Sequence, residues 1–271
     1  MPELPEVETT RRGLEPLLVG RTILEARVHN CDLRWPVPSC LSRMAAGQTM
    51  HTVRRRSKYL LVDCTAGTLI MHLGMTGHLR VVPVEEPRKK HDHVEFLLDD
   101  GRVLRFNDSR RFGAILWTQQ DPLAHSLLKG LGPEPFEERF DAAYLEQRAR
   151  GRVVAVKPFL MDAQTVVGVG NIYASEALFR AGIDPRRATG KVSSAAFRRL
   201  VKSVREVLSE AIEAGGTTIR DFANSDGAPG YFSISLRVYG RGGEPCVACS
   251  APVRLIRQGQ RSTYFCTNCQ K

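Results

Sequence analysis

Four cysteines late in the chain stand in two pairs, Cys246-x-x-Cys249 and Cys266-x-x-Cys269, with sixteen residues between the pairs. Each pair can grip one ion from a turn, and the spacer is long enough for a hairpin. Four thiolates suit a closed tetrahedral site, so one structural Zn2+ is expected on Cys246, Cys249, Cys266 and Cys269. The competing reading, reduced cysteines packed as small apolar side chains, is disfavoured by this spacing. At the other end the chain reads Met1-Pro2-Glu3-Leu4-Pro5-Glu6. A small second residue permits removal of Met1, which would expose the amine of Pro2. At pH 7 roughly one α-amine in ten is neutral and nucleophilic, against roughly one lysine in a few thousand. A secondary amine that attacks a sugar carbon yields a charged iminium, an electron sink of the kind Schiff-base lysines provide. Glu3 beside it is a candidate acid/base. Taken alone, the segment is read first as an ordinary helix start, where Pro and Glu are common.

These residues need elements to position them. Residues 5–18 have a helical pattern with Pro5 in the first turn, where its missing N–H costs nothing. Short β-rich runs follow at 22–28, 59–62, 68–72, 78–82, 94–98, 103–106 and 114–117, with Asp100-Gly101 as a hairpin turn. Many short strands without intervening helices predict an antiparallel sandwich or barrel. Gly132-Pro133-Glu134-Pro135 reads as a boundary. Beyond it, Asp141 can cap a helix through about residue 150, and Asn171 can cap one that stops at Gly182. The stripe Phe197, Leu200, Val201, Val204, Leu208, Ala211 and Ile212 predicts a helix over 194–214, ended by Gly215-Gly216. Residues 215–235 read as a long functional loop.

The chain has 271 residues, enough for two domains or for one with an appendage. Its net charge is +10, with 39 basic against 29 acidic residues. Half of that excess falls on residues 237–271, which makes a polyanion such as nucleic acid a plausible partner. No stretch approaches the roughly 20 apolar residues of a membrane span. The start lacks the basic and apolar regions of a signal peptide, so a cytoplasmic location is expected.

A resemblance adds to these readings. Residues 2–10, Arg56-Ser57-Lys58-Tyr59-Leu60, His72-Leu73-Gly74-Met75-Thr76-Gly77 and His91-Asp92-His93 resemble segments of the formamidopyrimidine-DNA glycosylase family. So do Asp108-Ser109-Arg110-Arg111-Phe112-Gly113, Gly168-Val169-Gly170-Asn171-Ile172-Tyr173-Ala174 and the four cysteines. The likeness runs through the whole chain in order. Ser109 departs from the pattern, where proline is expected in many relatives, and bears on a local turn.

The resemblance implies an α+β fold: an N-terminal antiparallel β-sandwich with flanking helices (1–132), a helix-two-turns-helix module with a lesion loop at 217–232 (133–236), and a zinc ribbon (237–271). It implies a bacterial, nucleoid-associated monomer that binds damaged double-stranded DNA in base excision repair. Oxidised purines, 8-oxoguanine and formamidopyrimidines, would be excised. Pro2 would attack C1′ with Glu3 as proton donor, Lys58 would serve β-elimination and Arg261 δ-elimination, leaving a one-nucleotide gap. Met75, Arg110 and Phe112 match residues that fill the space of a flipped nucleotide. His91, Arg110, Arg152 and Asn171 match DNA-binding residues. Without the resemblance, Met75 and Phe112 would be read as core, and Lys58 as part of the charge run that begins at Arg54. Two alternatives are an endonuclease VIII-like oxidised-pyrimidine glycosylase and a zinc-ribbon DNA-binding protein without chemistry.

Overall fold

The computed structural model describes residues 2–215 and 236–271. They divide into two compact units, one built on Met1–Lys129 and the other on Gly130–Ala214 with the C-terminal residues.

The first unit begins with helix α1 (Leu4–Leu18), which buries Leu4, Val7, Leu14 and Leu18 along one face. Strand β1 (Ile23–Val28) and a short helix α2 (Leu41–Ala45) follow. Seven further strands complete the unit: β2 (Met50–Arg56), β3 (Tyr59–Cys64), β4 (Gly67–His72), β5 (His78–Pro83), β6 (Asp92–Leu98), β7 (Arg102–Asn107) and β8 (Ala114–Thr118). They form two four-stranded antiparallel sheets, ordered β1-β6-β7-β5 and β2-β3-β4-β8. Ala26, Phe96 and Leu104 from one sheet and Val53, Val62 and Met71 from the other meet in a single apolar core. This is the expected sandwich, and Gly101 turns the β6–β7 hairpin at φ +80°.

Strand β2 corrects the sequence reading. Arg54, Arg55 and Arg56 are not a bare charge run. They form the end of a strand, and the first two are paired across the sheet and with α1: Arg54 Nε donates to Asp63 at 2.5 Å and Arg55 Nε to Glu8 at 3.2 Å.

The second unit holds α3 (Ala142–Ala149), capped by Asp141 as expected, then α4 (Val156–Met161), α5 (Asn171–Ala181) and α6 (Ser194–Glu213). Gly182 closes α5 in the left-handed region, at φ +68°. The expected cap at Asn171 is corrected: Gly170 is the capping residue, and Asn171 is the first residue of the helix. Strands β9 (Arg254–Gln258) and β10 (Arg261–Phe265) form the hairpin between the cysteine pairs. The ribbon's own core is small. Cys246, Val253, Cys266 and Val238 pack on Phe179 of α5. Among the described residues no helix is long and apolar enough to cross a membrane.

Candidate functional site

In the first unit, Pro2 and Glu3 are buried at the head of α1. Glu6 turns back one helical turn, and its carboxylate accepts the Glu3 N–H at 2.7 Å. The carboxyl of Glu8, two residues further on, is pushed up by burial, but Arg11, Arg12 and Arg55 outweigh that and hold it below the usual range. Arg55 also donates to the carbonyl of Ser57 at 3.0 Å, which links α1 to the β2–β3 turn. That turn is two residues long, with Ser57 at φ +57° and Lys58 beside it at the tip. A non-glycine residue held at positive φ is a local strain that surrounding contacts must maintain.

His72, at the end of β4, stands against this tip. Its ring lies 4.8 Å from that of Tyr59, and its Nδ1 accepts the Gly74 N–H at 3.1 Å. Burial, then the charges of Lys58 and Arg34, push its pKa down to about 4. The imidazole is therefore neutral at physiological pH, carries its proton on Nε2, and adds no positive charge beside Lys58.

Asp108 is fully buried and joins three candidate segments. One carboxylate oxygen accepts from Thr76 Oγ1 at 2.6 Å and from the Arg110 N–H at 3.2 Å. The other accepts from the Gly113 N–H at 2.8 Å. Its own N–H donates to the His91 carbonyl at 3.1 Å. Gly74 presses on the same loop, because a Cβ there would sit 2.4 Å from the Phe112 carbonyl carbon. Met75 and Phe112 are thus carried by turns clamped to one carboxylate, and the backbone N–H of the same residue holds the His91 carbonyl. Phe112 is 43% exposed, and the Arg110 guanidinium lies 4.7 Å over its ring. A core residue would not stand so far out, so the packing alternative for Phe112 fails. Met75 is half-buried. The turn forms with Ser109, closed by the Arg111 N–H on the Asp108 carbonyl at 3.3 Å.

In the second unit, Lys157 of α4 is 1% exposed. Its ammonium donates to Asn171 Oδ1 at 2.7 Å, to the Ser262 carbonyl at 2.9 Å and to Thr263 Oγ1 at 2.7 Å. It therefore pins the first residue of α5 to the strand that begins with Arg261. Arg261 is exposed and lines a cavity of about 210 Å³ with Pro158, Met161 and Gln258. Arg152 is exposed, with its guanidinium 5.8 Å from the Phe159 ring.

The four cysteine sulfurs lie within 4.8 Å of one another, with Cys249–Cys266 at 3.5 Å and Cys246–Cys269 at 3.9 Å. Four thiolates about 2.3 Å from a tetrahedral zinc stand about 3.8 Å apart, so the residues fit the ion.

Comparison with known proteins agrees with this geometry. Residues 1–115 match the formamidopyrimidine-DNA glycosylase N-terminal domain, 131–223 the H2TH domain of the same enzyme, and 243–271 a zinc finger found in FPG and IleRS. The chain is 56% identical over its whole length to the formamidopyrimidine-DNA glycosylase of Stutzerimonas stutzeri, with all of both chains covered. The chain belongs to the formamidopyrimidine-DNA glycosylase family. The corresponding enzyme of Nitrosococcus oceani is 54% identical, again with full coverage of both. Among solved structures, the MutM (Fpg) protein of Thermus thermophilus matches with a TM-score of 0.89 at 40% identity, covering 99% of this chain and 98% of that one. Lactococcus lactis Fpg, in complex with abasic-site DNA, matches with a TM-score of 0.91 at 34% identity over 99% of each chain. As a formamidopyrimidine-DNA glycosylase family member, the chain is a DNA glycosylase with AP-lyase activity and holds one structural Zn2+ on its four clustered cysteines.

Several residues that organise this site escaped the sequence reading. Asp108, Thr76 and His72 lie inside the motifs that carry the family resemblance, but nothing in their residue types or spacing signals a role. Lys157 carried no signal, since its burial depends on partners up to 106 residues away. The expected lesion loop, 217–232, lies outside the described residues.

Proposed function

We propose that this protein excises oxidised purines from double-stranded DNA through a Schiff base on Pro2 and then cuts the strand. Pro2, freed of Met1, attacks C1′ of the damaged nucleotide while Glu3 supplies a proton to the departing base. The resulting iminium draws electrons from the sugar, so the C2′ proton becomes acidic and the 3′ phosphate leaves by β-elimination, with Lys58 serving that step. Arg261 serves δ-elimination, which leaves a one-nucleotide gap. Met75, Arg110 and Phe112 fill the space of the flipped nucleotide, and His91, Arg152 and Asn171 bind the DNA. The chain is read as a catalytic sandwich (1–132), a helical DNA-binding module (133–236) and a zinc finger (237–271), acting as a monomer in the bacterial cytoplasm.

The observation that carries this reading is the clamp at Asp108. Burying a carboxylate to fix the two turns that carry Met75, Arg110 and Phe112 makes sense for a surface that must insert into a base stack without yielding. The direction of the charge excess, +10 overall, supports a polyanionic partner.

The test is a borohydride trap on an 8-oxoguanine duplex. A covalent adduct that maps to Pro2 by mass spectrometry is expected. An adduct at Lys58, or normal trapping by protein that retains Met1, overturns the assignment, because an amide nitrogen is delocalised into its carbonyl and is a poor nucleophile.

A further inference from the structure

One face of the β1-β6-β7-β5 sheet carries charge where a sandwich would ordinarily carry solvent-facing or apolar side chains. Arg27, Glu95, Arg105 and Arg80 occupy one cross-strand row, paired Arg27↔Glu95, Glu95↔Arg105 and Arg105↔Arg80. Arg80 and Arg105 are 2% and 4% exposed, and like charges directly opposite each other destabilise a sheet. Two buried acids resolve the conflict: Arg105 Nε donates to Glu95 at 2.7 Å, and Arg80 donates to Asp92 at 2.7 Å. Buried ion pairs of this kind are seldom more stabilising than apolar residues of the same size, so their use points to a positional role.

The segment 86–92 shows what is positioned. Arg105 also donates to the carbonyls of Glu86 at 2.7 Å and Pro87 at 3.2 Å. Arg80 reaches the Glu86 carboxylate at 2.6 Å. Asp92 accepts the Lys89 N–H at 2.7 Å and the Asn107 amide at 2.8 Å, and that amide also holds the Lys90 carbonyl at 2.9 Å. A cavity of about 330 Å³ lies between residues 84–88 and the sheet, so apolar packing contributes little to holding this loop. The loop ends at His91, which is held at φ +74°. Such a conformation in a non-glycine residue persists only where its surroundings over-determine it.

We propose that the buried Arg80–Asp92 and Arg105–Glu95 network is the positioning device for His91, holding its imidazole in the strained backbone setting from which it meets a DNA phosphate. This rests on the reading of His91 as a DNA-binding residue. Arg80, Asp92, Arg105 and Asn107 are positioning residues that touch no substrate.

The experiment is a double-mutant cycle, read as the dissociation constant for a duplex with a reduced, uncleavable abasic site. His91→Ala should weaken binding about tenfold, the size of one charge-assisted hydrogen bond. Arg80→Met and Asn107→Ala should each reproduce most of that loss. Combined with His91→Ala, either should add less than about twofold, because a misplaced imidazole and an absent one are equivalent. Arg80→Lys should recover part of the affinity. Asn107→Ala strands no buried charge, so it decides the matter if Arg80→Met fails to fold. Losses that multiply in the double variants, or full affinity in Asn107→Ala, overturn the proposal. Unchanged affinity in His91→Ala instead overturns the reading of His91 beneath it.

Discussion

His72 gives the first unit a pH dependence that can be measured apart from catalysis. In an unfolded chain its imidazole has a pKa of 6.5, and in the fold about 4, chiefly through burial. The unfolded state therefore binds the proton more readily, and stability falls as pH drops from about 6.5 to about 4 and then levels off. At about pH 5 the unfolded imidazole is almost wholly protonated and the folded one roughly a tenth protonated, which weakens folding by about 2 kcal/mol relative to about pH 7.5. Both tryptophans, Trp35 and Trp117, lie in the first unit, so their fluorescence reports its unfolding. His72→Asn offers the Gly74 N–H an oxygen acceptor and does not titrate. Urea unfolding at the two pH values should show the wild type losing about 2 kcal/mol more than this variant. Equal losses in the two proteins would falsify the claim that His72 is buried neutral beside Lys58.

Four further outcomes are expected. Cys249→Ala should abolish DNA binding and cleavage yet leave the first unit folded, because the ribbon draws its folding free energy from zinc; cleavage at the wild-type rate would show the ion to be dispensable. Phe112→Ala and Met75→Ala should weaken lesion processing more than binding to undamaged duplex, and equal losses in the two assays, or a large drop in thermal midpoint, would reinstate core packing. Gly74→Ala should cost about 2–4 kcal/mol in a urea titration, from its positive φ and the clash with the Phe112 backbone; a wild-type midpoint would show that the two turns are not clamped. The logarithm of the binding constant for undamaged DNA should fall roughly linearly with the logarithm of salt concentration, and affinity indifferent to salt would remove the basic surface from the account.

Much of this molecule is legible in its residues. The cysteine pairs declare a metal site because each pair's spacing is itself the geometry that grips the ion. Most strands, the Asp141 cap, the Gly182 stop and the long stripe of α6 follow from local rules of periodicity and capping, which need no knowledge of the rest of the chain. What the residues could not declare is which polar groups would be brought together. Arg54, Arg55 and Arg56 read as a charge run because Asp63 reaches Arg54 only across a sheet and Glu8 reaches Arg55 only from a helix. Asn171 suits a helix cap by type, but Gly170 takes that place and the Asn171 side chain accepts from Lys157 instead. Asp108 and Lys157 look like ordinary charged residues in sequence. Only the tertiary fold removes them from water, and once there each must satisfy every hydrogen-bonding group it has. That demand draws in partners 32 residues away for Asp108 and 106 away for Lys157. Local chemistry therefore sets the elements and the metal ligands, while the cost of burying a charge decides which distant turns are locked together into a site.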